Sequence, residues 1–294
     1  MSVVVKSGKQ IADDGKGPVN KSQRTSKPGT TLAKQSVKVL QLGGELLQKI
    51  LGISVFLLLW EIAPRAGLVD SIFIPPFSEV AISFYKLMLS GKLPYHIGVS
   101  LQRSLAGLGL GILISIPLGL LIGRIRIIEN FLDPVLQTFR QTSSLALLPV
   151  FMLLFGIGEV SKILIIFWGV QWPILLNTIS GVKNVDPLFI KSAKSMGASQ
   201  FEIFEKVILP AASPSIFTGI RLAGTAAILL LVASEMVGAS AGLGFLVFDF
   251  EVKYAIPEMF ATIVTFALLG LALNYILVRI ERNATKWKES DTPN

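Results

Sequence analysis

The stretch Lys191 to Pro210, KSAKSMGASQFEIFEKVILP, is charged and polar and lies between two long apolar blocks, so its reading decides how the chain folds. Just upstream, Asp186 precedes Pro187: an acceptor side chain for a helix N-cap, then a residue with preset φ and no N–H for the first helical position. A short helix is expected from Pro187. Gly197 can take the positive φ that ends it, and Ser199 with Glu202 three residues on is a capping box that opens a second helix. Because a proline ring removes an N–H and clashes with the preceding turn, that second helix is expected to stop at Pro210. Phe189, Ala193 and Met196 recur at helical spacing in the first helix, as do Phe201, Phe204 and Ile208 in the second. Two short amphipathic helices meeting at a glycine form a knob. Spacing alone reads equally well as a loop packed on its own protein.

The flanking blocks make this a membrane protein. Of 294 residues 52% are hydrophobic and 16% charged, with a mean hydropathy of +0.66, which is too apolar for a soluble domain of ordinary composition. The chain has no cysteine and one histidine, which excludes disulfide frameworks, thiol catalysis and Cys/His zinc sites. His96 reads as an ordinary polar residue ahead of a span. The net charge of +8 is what excess Lys and Arg at a cytoplasmic face produce, so no nucleic-acid partner is expected. No metal-ligand cluster and no Ser or Cys nucleophile with a His base stands at recognisable spacing. No catalytic residue, metal or bound cofactor is expected on this chain, and it is not read as an enzyme.

Residues 1–45 read as a basic, disordered cytoplasmic tail. Within it GKGPVNKS, Gly15 to Ser22, resembles a phosphate-binding loop but has Asn20 where glycine must precede the lysine. Residues 46–282 read as the transmembrane domain and 283–294 as a polar cytoplasmic tail. About 20 apolar residues cross a bilayer, and six stretches satisfy this: Leu46 to Ala63, Ile97 to Ile122, Val135 to Phe155, Ile163 to Val182, Ile216 to Val237 and Met259 to Ile280. Glu61 and Arg65 lie one helical turn apart and are expected to pair at the outer end of the first. Ser78 to Leu89 is moderately apolar and suits the membrane surface. Gly107, Gly109, Gly111 and Gly119 should permit close helix approach in the second span, and Ser213-Pro214 should start the fifth as cap and first-turn proline.

Charge gives the orientation. With both termini inside, nineteen of the 27 Lys and Arg fall in inner segments, and Arg65, Lys86, Lys92, Lys162 and Lys253 fall outside. Arg103, Arg140 and Arg221 lie within spans. The asymmetry puts Lys191 to Pro210 in the cytoplasm. The third span carries a polar block, Gln137, Thr138, Arg140, Gln141, Thr142, Ser143 and Ser144, before its apolar run. Such groups at membrane depth line a wet path or face one another; the other reading places them at the inner interface. Arg221 and Arg103 either face the path or extend to the headgroups at their own ends.

Taken together, these stretches resemble a known family. Lys191-Ser192-Ala193, then Gly197, then Val207-Ile208-Leu209-Pro210 match the register of the EAA loop of ABC importer permeases, with Lys191 and Ser192 at the positions of its Glu and first Ala. Phe155-Gly156-Ile157-Gly158-Glu159 with Ser161-Lys162 resembles the FGIGE-x-SK stretch of the nitrate, sulfonate, taurine and bicarbonate subgroup, in which prolines usually stand at the positions of Ser143 and Ser144. Gly219 to Leu222, Ala233 to Met236 and Gly242 to Phe245 are similar to the same subgroup.

The resemblance implies an all-α membrane protein with six transmembrane helices, the type I importer permease fold and a cytoplasmic coupling helix. It implies a homodimer in the bacterial cytoplasmic membrane, an extracytoplasmic substrate-binding protein, and two ATP-binding cassette subunits that hold ATP and Mg. The coupling residues it marks are Lys191, Ser192, Ala193, Gly197, Ser199, Glu202, Val207, Leu209 and Pro210. Candidate pathway residues are Arg140, Gln141, Ser143, Ser144, Arg221 and Glu235. Their balance leans positive, which suits a small anion such as an aliphatic sulfonate, taurine, nitrate or bicarbonate. A pyrimidine-like vitamin precursor is the alternative solute. A secondary transporter is the alternative mechanism, and it would call for an inverted repeat, which the sequence lacks.

Overall fold

The computed structural model describes residue 48 and residues 50–286, and among them it is helical with no strand. The basic tail, its GKGPVNKS stretch and the start of the first expected span lie outside the described residues. The chain divides into two units, residues 1–58 and 59–294. The helix over residues 50–65 (α1) reaches the second unit with its residues 59–65. There Glu61 pairs with Arg65 at 2.7 Å, as expected, and also accepts from the Ser78 backbone N–H and hydroxyl at 2.9 Å each. These bonds hold the start of α2, Phe77–Leu89, beside α1.

Three helices form the centre of the second unit: α3 (Lys92–Arg124), α6 (Glu159–Lys183) and α9 (Leu209–Met236), with α6 between the other two. Small residues let them approach. A Cβ placed on Gly107 would lie 2.6 Å from Ile166, one on Gly111 2.6 Å from Val170 and one on Gly119 2.7 Å from Thr178. Gly109 meets nothing within 4 Å and takes no part in this seam, because it lies between the two seam positions on a helix of 3.6 residues per turn. Gly181 and Gly219 do the same for α6 against α9, where added Cβ atoms would come within 2.9 Å of Ser215 and 2.8 Å of Asn177. Apolar helices in lipid gain little from apolar contact as such, so close backbone approach is what holds them together.

Of the six expected spans, four are continuous helices long and apolar enough to cross a membrane: α3, α6, the stretch Gln200–Met236 that ends in α9, and Ile256–Ala284 (α11). The third is not continuous. Its residues divide between α4 (Arg126–Gln141) and α5 (Leu148–Phe155). The break comes where Thr142 turns to extended backbone (φ −70°, ψ 124°) and Pro149 has no N–H to continue a helix from the preceding turn. Successive tight turns, Ala146 N–H to Ser143 O and Leu147 N–H to Ser144 O, fill the gap.

Two proline expectations also change. The helix does not stop at Pro210, nor does a new one start at Ser213-Pro214. A widened π-turn over Phe204–Ile208 runs directly into α9, which carries Pro210 in its first turn and Pro214 inside it. Widening the turn before Pro210 makes room for its ring and absorbs the missing hydrogen bond. The Ser213 hydroxyl bonds back to the Pro210 carbonyl at 2.8 Å instead of capping a helix. Leu243–Val252 (α10) completes the unit beside α9 and α11.

Candidate functional site

The bend forms as its caps require. The Asp186 carboxylate accepts from the Leu188 N–H at 2.8 Å and starts α7, Pro187–Ser195; Gly197 follows with φ +80°. Ser199 and Glu202 exchange both bonds of the capping box and open α8, Gln200–Ile203. Only part of the apolar faces marked by spacing is covered. Ile190, Ala193, Ala198, Ile203, Phe204 and Ile208 pack on Val182, Val185, Ala212 and Ile216 at the ends of α6 and α9. Phe189, Met196 and Phe201, which share those apolar faces by spacing, point outward, with Met196 86% and Phe201 71% exposed. Arg124, at the end of α3, bonds to Gln200 at 3.2 Å and lies 5.5 Å from the centre of the Phe204 ring. The bend is thus fastened to three spans, and a cluster of large apolar side chains stays in the open. Pocket residues Ala193, Met196, Gly197, Ala198, Glu202, Lys206 and Val207 border a hollow of about 290 Å³ on it.

The polar block lies at the α4–α5 break. Ile128, Leu132 and Leu136 of α4 pack on Ile122, Leu175 and Ile179, while Arg140, Gln141 and Ser143 are exposed. Phe139 meets Trp168 and Trp172 of α6 with ring centres 5.6 and 6.4 Å away, and a Cβ on Gly169 would lie 3.3 Å from the Ser144 hydroxyl. The indole N–H groups of Trp168 and Trp172 are buried with no acceptor. Arg140 forms no ion pair or hydrogen bond among the described residues, whereas Arg221 pairs with Glu281 at 3.1 Å.

The remaining candidate, Glu235, is fully buried. It receives Arg103 Nη1 at 2.7 Å, the Ser100 hydroxyl at 2.8 Å and the Gly244 N–H at 2.9 Å. Arg103 is 2% exposed, so it does not extend to the headgroups. Its Nε and Nη2 instead fork onto Glu159, and Nη1 also donates to the Ala241 carbonyl. His96 is part of the same structure, accepting the Gly242 N–H on Nδ1 at 2.9 Å, and Ser100 accepts the Leu243 N–H at 2.8 Å. Gly242 and Gly244 are required here: added Cβ atoms would fall 2.3 Å from the Glu235 carboxylate and 2.6 Å from its Cβ. Sequence reading missed this network. The signal was available, since a buried arginine in a span needs a carboxylate, and Glu159 and Glu235 are the acids at the matching helix ends. Among the described residues no three His, Cys, Asp or Glu side chains gather as metal ligands.

Packed apolar helices of membrane length, carrying an exposed amphipathic bend at one end and a buried ion network at the other, define a polytopic membrane protein. A family model described as binding-protein-dependent transport system inner membrane component matches residues 115–286, and the chain belongs to this family. It is 35% identical over 237 residues to the Bacillus subtilis SsuC permease protein, named for aliphatic sulfonate transport, covering 81% of this chain and 86% of that one. It is 32% identical over 240 residues to the taurine transport system permease protein TauC of Escherichia coli K12, covering 80% and 87%. With the bicarbonate transport system permease protein CmpB of Synechocystis the identity is 31% over 243 residues, covering 79% and 86%. The fold is shared with the MetNI methionine ABC transporter in an inward-facing conformation, at a TM-score of 0.55 and 22% identity over 64% of this chain and 93% of that one. The chain is therefore the permease component of an ABC transporter, and ATP hydrolysis belongs to a separate subunit.

Proposed function

We propose that two copies of this chain form the membrane path of an ATP-driven importer for a small oxyanion, an aliphatic sulfonate foremost. One observation carries the anionic reading: of the three arginines in expected spans, Arg103 and Arg221 are neutralised by carboxylates, while Arg140 has no partner among the described residues and the Trp168 and Trp172 rings that its neighbour Phe139 meets carry indole N–H donors without acceptors. Donors and a cation with no matching acid favour a ligand made of acceptors. The relatives named for sulfonate, taurine and bicarbonate transport agree with this class. Arg140 and Gln141, at the end of a helix that has no fully buried residue in a single copy, and Ser143 and Ser144 in the break that follows would then face the path between the two copies. Uptake of ethanesulfonate, nitrate and an uncharged pyrimidine is to be compared in vesicles holding the transporter with its binding protein. Ethanesulfonate is expected to be taken up, and Arg140→Gln to cut its flux at least tenfold with assembly and basal ATP hydrolysis intact. Transport of the pyrimidine alone, or an Arg140→Gln flux equal to the parent's, would overturn the anionic reading.

The bend over residues 187–210 is proposed as the cytoplasmic coupling element. Its bare apolar edge and its continuity with α9 through the π-turn suit it to take up movement of the ATP-binding subunit and pass it to a span. This requires both termini inside, which the charge asymmetry supports. The chain has no native cysteine, so single cysteines at Lys194 and Lys253 report the orientation directly. In intact cells an impermeant thiol reagent should label Lys253→Cys and leave Lys194→Cys unreacted; the opposite pattern would invert the topology.

A further inference from the structure

The fork of Arg103 is occupied by a carboxylate that is poorly buried for its role. The Glu159 side chain is 60% exposed although its partner is 2% exposed, and Glu159 is the first residue of α6. The segment before it, with Gly156 at φ +79° and Gly158, is held by the Ile157 side chain against Gly238 and by the Ser161 hydroxyl and Lys162 ammonium on the Gly158 carbonyl, none of which restrains the Glu159 side chain itself. Beside the fork lies a cavity of about 270 Å³ whose walls include Tyr95, Gln102, Ile163, Ser240 and Ala241, with Arg103 and Glu159 as its charged sides. Lys162 is 4% exposed and donates to the Gly158 and Gly238 carbonyls, with no carboxylate of its own. Two cations, Arg103 and Lys162, therefore face two anions, Glu159 and Glu235. Glu235 is enclosed on every side. Glu159 alone of the four can leave toward solvent, and its departure would give the cavity a net positive charge and a free two-pronged donor.

We propose that this cavity is a second oxyanion site, at the end of the bundle away from the coupling bend, in which Glu159 is the resident occupant and an external sulfonate or carboxylate replaces it on Arg103. The ligand class rests on the anionic reading of the transported solute. The exchange is chemically even, one bidentate oxyanion for another. Tethering gives Glu159 the advantage of a high effective concentration, so the parent protein binds external anions weakly. Removing the carboxylate opens the site.

Ser240→Cys places a single thiol on the cavity wall of a chain that has no other. The purified transporter is to be labelled with anionic sulfonatoethyl and cationic trimethylammonioethyl methanethiosulfonate, each rate normalised to that with a free thiol. Adding Glu159→Gln is expected to raise the anionic-to-cationic ratio by about tenfold or more, the effect of one unit charge at short range in a partly dry site. Millimolar ethanesulfonate should then slow labelling, and sodium chloride at the same ionic strength should not. An unchanged ratio, or ethanesulfonate no better than chloride, would overturn the proposal. Should Glu159→Gln fail to assemble, Glu159→Asp shortens the reach to Arg103 and is expected to shift the ratio in the same direction; no shift there is equally decisive. Labelling needs no transport. Anion uptake with indifferent labelling would therefore sink this site alone, and an uncharged solute with the expected labelling would sink the solute reading alone.

Discussion

Arg103→Leu should be the most damaging single substitution in the described bundle, costing about 3–5 kcal/mol, because it leaves a fully buried carboxylate without its counter-ion. Glu235 would keep the Ser100 hydroxyl and the Gly244 N–H, two neutral donors that cannot replace a guanidinium. The damage should also spread, since Arg103 joins α3 to α6 through Glu159, to α9 through Glu235 and to the 238–242 turn through the Ala241 carbonyl. Glu235→Gln removes the charge and retains an acceptor. Combined with Arg103→Leu it should recover about 0.5–3 kcal/mol relative to additivity, the size of coupling found between residues of one network. Thermal unfolding of the purified single and double variants in detergent measures both effects. Singles within about 1 kcal/mol of the parent, or a strictly additive double, would show that the network is not a structural clamp.

Gly197→Val is expected to abolish coupled transport, at least tenfold in solute uptake, while the protein still inserts and assembles. Gly197 sits at φ +80° with no atom within 4 Å of an added Cβ, so the substitution meets no steric neighbour and acts only on the backbone. A β-branched residue there is strained by about 1–3 kcal/mol. The chain relieves that strain most cheaply by leaving the left-handed region, which changes the angle between α7 and α8. Hydrogen bonds from the Gly197 and Ala198 N–H groups to the Lys194 and Ala193 carbonyls would go with it. On the proposed role of the bend, the exposed Phe189, Met196 and Phe201 would no longer present one surface to the ATP-binding subunit. Solute-stimulated ATP hydrolysis in vesicles tests this against binding-protein docking, which on the proposed topology falls at the opposite membrane face and should be unchanged. A variant with normal uptake would remove the bend from the coupling mechanism.

Local chemistry was legible wherever a residue acts on its own neighbours. Asp186-Pro187, Gly197 and the Ser199–Glu202 box each specify a backbone geometry within four residues, and each does so in the structure. Long apolar runs likewise specified α3, α6, α9 and α11, since lipid leaves the backbone no alternative to a helix. Proline was less legible. Pro210 and Pro214 read as boundaries because a ring removes one hydrogen bond, yet packing of α9 against α6 keeps the helix going and the π-turn absorbs the misfit. The direction each face of the bend takes was hidden for a related reason: periodicity marks an apolar edge but does not say which edge the bundle covers. The ion network was the least visible. Arg103, Glu159 and Glu235 lie 56 and 132 residues apart along the chain, and only the stacking of α3, α6 and α9 brings them within bonding distance. The sequence by itself determined a helical membrane protein with a capped bend, because caps and hydrophobicity act locally; tertiary packing alone decided which charges are buried together and which, like Arg140, find no partner among the described residues.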